Sequence, residues 1–299
     1  MDTAIDIGRR RVVAGGLASA SVSAIAAPAS ALSAATGDTA YVFELLDNAL
    51  WIPDGLPNAK HAYVIGAPWC PVCRQFYADS RPFINAIQLR WIMALSTNEE
   101  ALRQNRALDY RRSPRDLAAI YTGNDIGLDV PDSANWAQRW DDGVQNAMAK
   151  FLIKRQPGSS GNETPRHFWL SKKGGAVASI AGGVNLSQLV AATQPRPEAR
   201  ELSPRGLEFL RTAPKVRSIN RRPVYAGANG QDFYAVPSLG APVVEHIENN
   251  QGLPAEKVAT YDNGDKWVGF AAGARWDQPY EIWAPMAAMY SGSNLKADF

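Results

Sequence analysis

His61-Ala62-Tyr63-Val64-Ile65-Gly66-Ala67-Pro68-Trp69-Cys70-Pro71-Val72-Cys73-Arg74-Gln75-Phe76-Tyr77-Ala78 is the stretch on which the reading of this chain turns. Its first six residues are a short apolar run of strand character, and Arg74 to Ala78 continue as an amphipathic helix. Cys70 therefore falls at a helix N-terminus, where the first backbone N–H groups lack intrahelical partners and, with the helix dipole, stabilise a thiolate. Pro71 suits the first helical turn, since its ring pre-sets φ and its missing N–H removes nothing the helix would have used. Cys73, one turn on, is close enough to attack a mixed disulfide on Cys70. These are the only two cysteines in 299 residues. A structural disulfide stabilises by closing a long loop, so sulfurs this close are spaced to react with each other. Two other readings stay open. Zinc needs four ligands, and beyond the cysteines the chain offers only His61, His167 and His246, none at H-x3–5-H spacing. The pair can also be two small apolar core residues. No metal and no cofactor is expected.

Residues 1–35 read as an export signal outside the fold. Arg9-Arg10-Arg11 precede an uncharged stretch from Val12 to Ala27, followed by small-residue cleavage options at Ala29-Ser30-Ala31 or Ser33-Ala34-Ala35. The arginine pair and a core of Gly, Ala and Ser tilt toward the twin-arginine route. A retained membrane anchor is the alternative, although the stretch is shorter than the ~20 apolar residues that span a bilayer. Export places the chain in an oxidising compartment, where a dithiol must be kept poised by partners. Removal of the signal leaves about 264 residues, and with 46% hydrophobic residues this suits one large domain or two smaller ones. A net charge of +2 argues against a general nucleic-acid surface. The basic pairs Arg111-Arg112 and Arg221-Arg222 read as solvated faces or linker ends.

Residues 36–60 form a lead-in segment, with Phe43, Leu45, Leu46, Leu50 and Trp51 on one amphipathic stretch. After the cysteine helix, which Pro82 should kink, Ile87 to Leu95 is a second apolar strand candidate of the parallel-sheet kind. Thr97-Asn98-Glu99-Glu100 reads as a capping box opening a helix to about Tyr110. Ser113-Pro114 opens a second, and Pro131 to about Lys154 carries a third, with Trp136, Trp140, Val144, Ala147, Met148 and Phe151 at helical spacing. Residues 97–155 are thus a helical insert. Strand character resumes over Thr164 to Leu170, turns at Lys172-Lys173-Gly174-Gly175 and returns over Ala176 to Ile180, before Asn185 caps a short helix to Thr193. The order is that of an α/β thioredoxin-like fold over residues 61–195, enlarged by the insert.

The run from Tyr63 to Leu95, with Trp69-Cys70-Pro71-Val72-Cys73-Arg74-Gln75-Phe76, Arg81-Pro82 and Gln88-Leu89-Arg90, together with Thr164-Pro165, resembles the periplasmic thiol:disulfide interchange proteins of the DsbC and DsbG type, the DsbG branch most closely. The resemblance covers about residues 40–195. It implies a cis Thr164–Pro165 bond held against the dithiol, where the backbone of Thr164 can pair with an incoming peptide and the missing N–H of Pro165 spares a conflict with the thiolate. It also implies exported substrates with disulfides or oxidised cysteines, a membrane electron donor of the DsbD kind, and a V-shaped homodimer. The dimer is in question because only residues 36–60 stand where that branch carries a dimerisation region.

Cys70 and Cys73 are the candidate catalytic residues. Trp69, Thr164 and Pro165 are the candidate substrate contacts, and Pro71 and Val72 shape the site. One unit of thiolate pKa is about 1.4 kcal/mol, or about 30 mV for a two-electron couple. A histidine between the cysteines could add a donor or a positive charge there, whereas Val72 adds neither. A reductase or isomerase is therefore expected rather than a strong oxidase, and Thr before the proline implies the same by resemblance. The alternative is a non-enzymatic periplasmic chaperone, or an adaptor of a secretion or conjugation system. Beyond a linker at Gln194-Pro195-Arg196-Pro197-Glu198, residues 200–299 hold short strand-like runs separated by Gly, Asn and Pro turns, and read as a small, mostly β module of unassigned role. Its aromatics Trp276, Tyr280 and Trp283 read as core.

Overall fold

In the computed structural model the chain enters the fold as helix α1 (Thr36–Asn48) and strand β1 (Ile52–Asp54). The structure describes residues 36–58, 60–96, 98–155, 161, 163–197, 204–248, 251–272, 281–291 and 295–296. The expected export segment therefore lies outside the described residues, as do Thr97, Trp276 and Tyr280. Strand β2 (His61–Gly66) leads into α2 (Pro71–Ser80), followed by β3 (Gln88–Met93). Every residue of β2 and β3 is buried, Gln88 and Arg90 of β3 included, as befits strands covered on both faces. The insert supplies α3 (Glu99–Arg111), α4 (Pro114–Tyr121) and α5 (Ala134–Arg155). The hairpin β4 (Arg166–Leu170) and β5 (Val177–Ala181) and helix α6 (Leu186–Ala192) complete the first domain.

The five-stranded sheet runs in the order β1-β3-β2-β4-β5, with β2 and β3 parallel and the other neighbours antiparallel. This is the thioredoxin-like α/β fold. Residues 36–60 are more than a lead-in, because β1 is its edge strand, with Ile52 opposite Trp91. Val42, Leu46 and Leu50 are fully buried in the same core as β2 and β3. Polar contacts tie α1 down as well: Asp47 binds Tyr63 Oη and, at 2.7 Å, Arg196 Nη2, while Trp140 Nε1 donates to Asn48 O at 2.6 Å.

Two local expectations are corrected. Pro82 does not kink a continuing helix; α2 stops at Ser80 and Pro82 sits in a separate 3-10 turn, Arg81–Phe83, because a ring without an N–H cannot extend the helical ladder. The cap of α3 is Asn98, whose side chain accepts the N–H of Ala101 at 3.1 Å, one residue later than the Thr97 capping box. Ser113 and Asn185 cap α4 and α6 as read.

The second domain begins with α7 (Pro204–Arg211) and holds β6 (Lys215–Ala226), β7 (Gln231–Tyr234), β8 (Val243–Ile247), β9 (Gly252–Thr260), β10 (Lys266–Phe270), β11 (Ile282–Pro285), β12 (Met289–Ser291) and β13 (Leu295–Lys296). They form one antiparallel sheet in the order β13-β12-β6-β9-β10-β11-β7-β8. Its core holds Val224, Phe233, Val258, Phe270 and Ile282. The module docks on α5: Trp136 meets Trp283 at 5.7 Å between ring centroids, Phe209 lies 5.7 Å from Trp140, and Lys150 reaches Val244 O and Glu245. Gly143 makes that approach possible, since a Cβ there would sit deep inside the contact radius of Ala235 Cβ and 3.4 Å from Pro242 Cβ.

Candidate active site

Cys70 is the N-cap of α2, in extended backbone with φ −83° and ψ 116°, and its carbonyl accepts the first helical N–H, from Arg74, at 3.1 Å. Its Sγ accepts the N–H of Cys73 at 3.3 Å. A sulfur in this position replaces the usual capping oxygen. The thiol also reaches the carbonyl of Thr164 at 3.5 Å. The Thr164–Pro165 bond is cis, so the loop before β4 presents that carbonyl directly to the dithiol. Arg74 Nε donates to Pro68 O at 3.1 Å and Cys70 N to Ala67 O at 3.1 Å, which hold the approach to the helix.

The two sulfurs differ in access. Both are free thiols, but Cys70 keeps 8% of its surface exposed and Cys73 none. Burial, then the hydrogen bond to Cys70, push the Cys73 thiol well above the ordinary thiol range, outweighing the opposing hydrogen bond from Ala67 N–H at 3.5 Å. Cys73 is therefore a protonated thiol near neutrality. Pro71 is the first residue of α2 as read. Trp69 and Val72 flank Cys70 with 43% and 46% of their surfaces exposed, an apolar rim rather than part of the core. Among the described residues no group of three His, Cys, Asp or Glu side chains is placed to hold a metal.

Some residues at this site were invisible in the sequence. Tyr121, at the end of α4, packs on Trp91 at 4.9 Å and stacks on Tyr77 at 5.2 Å, so the insert braces the cysteine helix. Its buried Oη has no hydrogen-bond partner among the described residues; a Cβ on Gly66 would lie 3.0 Å from it. Burial holds its phenol well above the usual range. On the other side Phe76 meets the His167 ring at 4.4 Å, and burial keeps that imidazole neutral, with its pKa down to about 4. The signal was present only as aromatic residues at helical spacing, which reads equally well as plain core.

No protein-family model matches the chain. Two curated relatives are both thiol:disulfide interchange proteins named DsbG. The one from Pseudomonas aeruginosa is 30% identical over 77 residues, covering 25% of this chain and 30% of that protein. The one from Escherichia coli K12 is 26% identical over 140 residues, 44% of this chain and 52% of that protein. Over these stretches the chain is similar to DsbG-type thiol:disulfide interchange proteins. It spans about half the length, or less, of these two relatives. The solved catalytic domain of Proteus mirabilis ScsC matches with a TM-score of 0.36 and 13% identity, over 51% of this chain and 93% of that one. In the thioredoxin-like part of the chain Cys70 lies 3.5 Å from the carbonyl of Thr164, whose bond to Pro165 is cis, as the resemblance implies.

Proposed function

We propose that the chain is an exported thiol:disulfide oxidoreductase that reduces or isomerises protein disulfides, or reduces sulfenic acids on single cysteines, through Cys70 and Cys73. The observation that carries this reading is the asymmetry of the pair: one cysteine at the N-cap, held by an N–H and keeping 8% of its surface exposed, the other fully buried behind it. The Cys70 thiolate attacks a substrate disulfide, forming a mixed disulfide and releasing the second substrate sulfur as a thiolate. With a sulfenic acid the leaving group is hydroxide, which leaves as water after taking a proton. Cys73 then gives up its proton and attacks Cys70. The Cys70–Cys73 disulfide forms, the substrate leaves as a thiol, and two electrons have passed from dithiol to substrate. Thr164, Pro165 and Trp69 hold the substrate chain against Cys70, and a membrane electron donor of the DsbD kind returns the dithiol. Val72 supplies no charge to the site, which favours a reducing or isomerising centre over a strong oxidant.

The test is trapping. Cys73→Ala should accumulate mixed disulfides with exported proteins, because nothing resolves the Cys70 adduct, and Cys70→Ala should accumulate none. Equal trapping by both variants overturns the division of labour. A reduction potential of the pair, set against glutathione, close to that of a strong oxidant such as DsbA overturns the direction of electron flow.

A further inference from the structure

Next to Thr164 the chain encloses a cleft of about 690 Å3 that belongs to neither domain alone. Its floor is the C-terminal end of the first sheet, at Ile65, Ala94 and Leu95. Arg106 on α3 and Arg139 on α5 form one wall, and Ala271, Ala272 and Glu281 of the β module form the other. Thr164, whose carbonyl faces Cys70 at 3.5 Å, closes the near end. A polypeptide attached to Cys70 and running past the cis-proline loop therefore enters this space. An isolated thioredoxin-like domain would have no second wall here.

The charges in the cleft are unbalanced. Glu281 is its ionised carboxylate, and it is shared by Arg139 and Lys257. Burial opposes its charge, but the two cations prevail and hold its pKa below the ordinary value. Asp142 also lines the space, yet burial, followed by the charge of Asp141, raises its pKa to about 8, so at neutral pH it is an uncharged acid. Among the described residues Arg106 has the neutral Gln138 Oε1, at 3.4 Å, and no carboxylate within ion-pair distance. Of the two guanidiniums that line the cleft, Arg139 is thus answered by Glu281 and Arg106 is not, in a partly enclosed space where charge acts more strongly than on an open surface.

We propose that this cleft seats an acidic segment of the polypeptide whose cysteine is joined to Cys70, so that the β module selects substrates by completing a basic docking wall beside the dithiol. The proposal rests on Cys70 acting as the nucleophile. The apolar floor takes the aliphatic parts of the segment, Arg106 takes a carboxylate, and the Thr164 backbone fixes the register next to the sulfur.

The test uses the full chain, reduced, and two cysteine peptides whose sulfur is carried as a mixed disulfide with thionitrobenzoate, identical except that the flanking residues are glutamates in one and lysines in the other. Attack by Cys70 releases coloured thionitrobenzoate, and Cys73 then releases the peptide thiol, so each turnover oxidises one dithiol. At low salt the acidic peptide should react roughly tenfold faster, as expected for electrostatic steering into a focused site, and added salt should erase most of the difference. The ratio of the two rates should fall toward one in Arg106→Gln and invert in Arg106→Glu. Because the ratio is taken within one variant, a general loss of folded protein cancels. A wild-type ratio near one, a preference for the lysine peptide, or an unchanged ratio in Arg106→Glu overturns the docking assignment while leaving the exchange reading in place. Release from neither peptide by wild type overturns the exchange reading itself, and the docking assignment with it.

Discussion

Replacing Gly143 by alanine should loosen the β module from α5, although the same change strengthens the helix. Alanine is better than glycine in a helix interior by about 1 kcal/mol, and an isolated α5 would gain that amount. In the folded chain the new methyl would be driven against Ala235 Cβ, with Pro242 Cβ 3.4 Å and Pro242 Cγ 3.5 Å away. Neither neighbour is a flexible side chain. Ala235 is fully buried, and its N–H is tied to Pro242 O at 3.1 Å, so relief requires the helix and the end of β7 to move apart. Overpacking of this kind costs about 1–3 kcal/mol, and a backbone-anchored obstacle belongs at the upper end. The net loss is then about 2 kcal/mol, or a drop of roughly 4–8 °C in melting temperature for a unit of this size. Thermal unfolding followed by circular dichroism measures it, with Gly183→Ala as the control, since no heavy atom lies within 4 Å of the Cβ it would add. A Gly143→Ala protein that melts at or above the wild-type temperature would refute the reasoning.

Two further substitutions read protonation through stability, with opposite signs. Asp142 is held at about 8, mainly by burial, against 3.8 for an ordinary aspartate. Between these values the unfolded chain has lost a proton that the native state keeps, so its contribution falls as pH rises, by at most about 1.4 kcal/mol per pH unit. Asp142→Asn should therefore gain on wild type steadily from pH 5 to pH 8 in denaturant titrations, and parallel curves would exclude the assignment. His167 is pushed down to about 4 by burial, so here the unfolded chain takes up a proton first as pH falls from about 6.5 to 4, and native stability is lost in that window. His167→Gln should lack this loss, and a variant that follows the wild-type acid limb would contradict it.

Much of the first domain was legible because local physics wrote it. The buried runs of β2 and β3, the Ser113-Pro114 and Asn185 caps, and the cysteine-proline start of α2 each depend on contacts within a few residues, which a linear pattern records. Strand β1 left no such trace: Ile52-Pro53-Asp54 is three residues with a central proline, and it is a strand only because β3 offers an edge. In the β module, β9 contains Gly252, Pro254, Glu256 and Lys257, and the Lys215–Arg222 part of β6 is charged and largely exposed. Neither shows clean alternation, because they support each other through cross-strand pairing, which even places Pro223 opposite Pro254.

By itself the sequence determined where the candidate dithiol sits: two sulfurs one helical turn apart, at the start of a helix that follows a buried strand. Tertiary structure alone decided what surrounds them. Tyr121 against the cysteine helix, the neutral acid at Asp142, and a cleft drawing on residues from Ile65 to Glu281 all arise from segments far apart in the chain. Whether a side chain is charged, paired or buried depends on neighbours that only the folded chain brings together, so no spacing along the sequence could have carried that information.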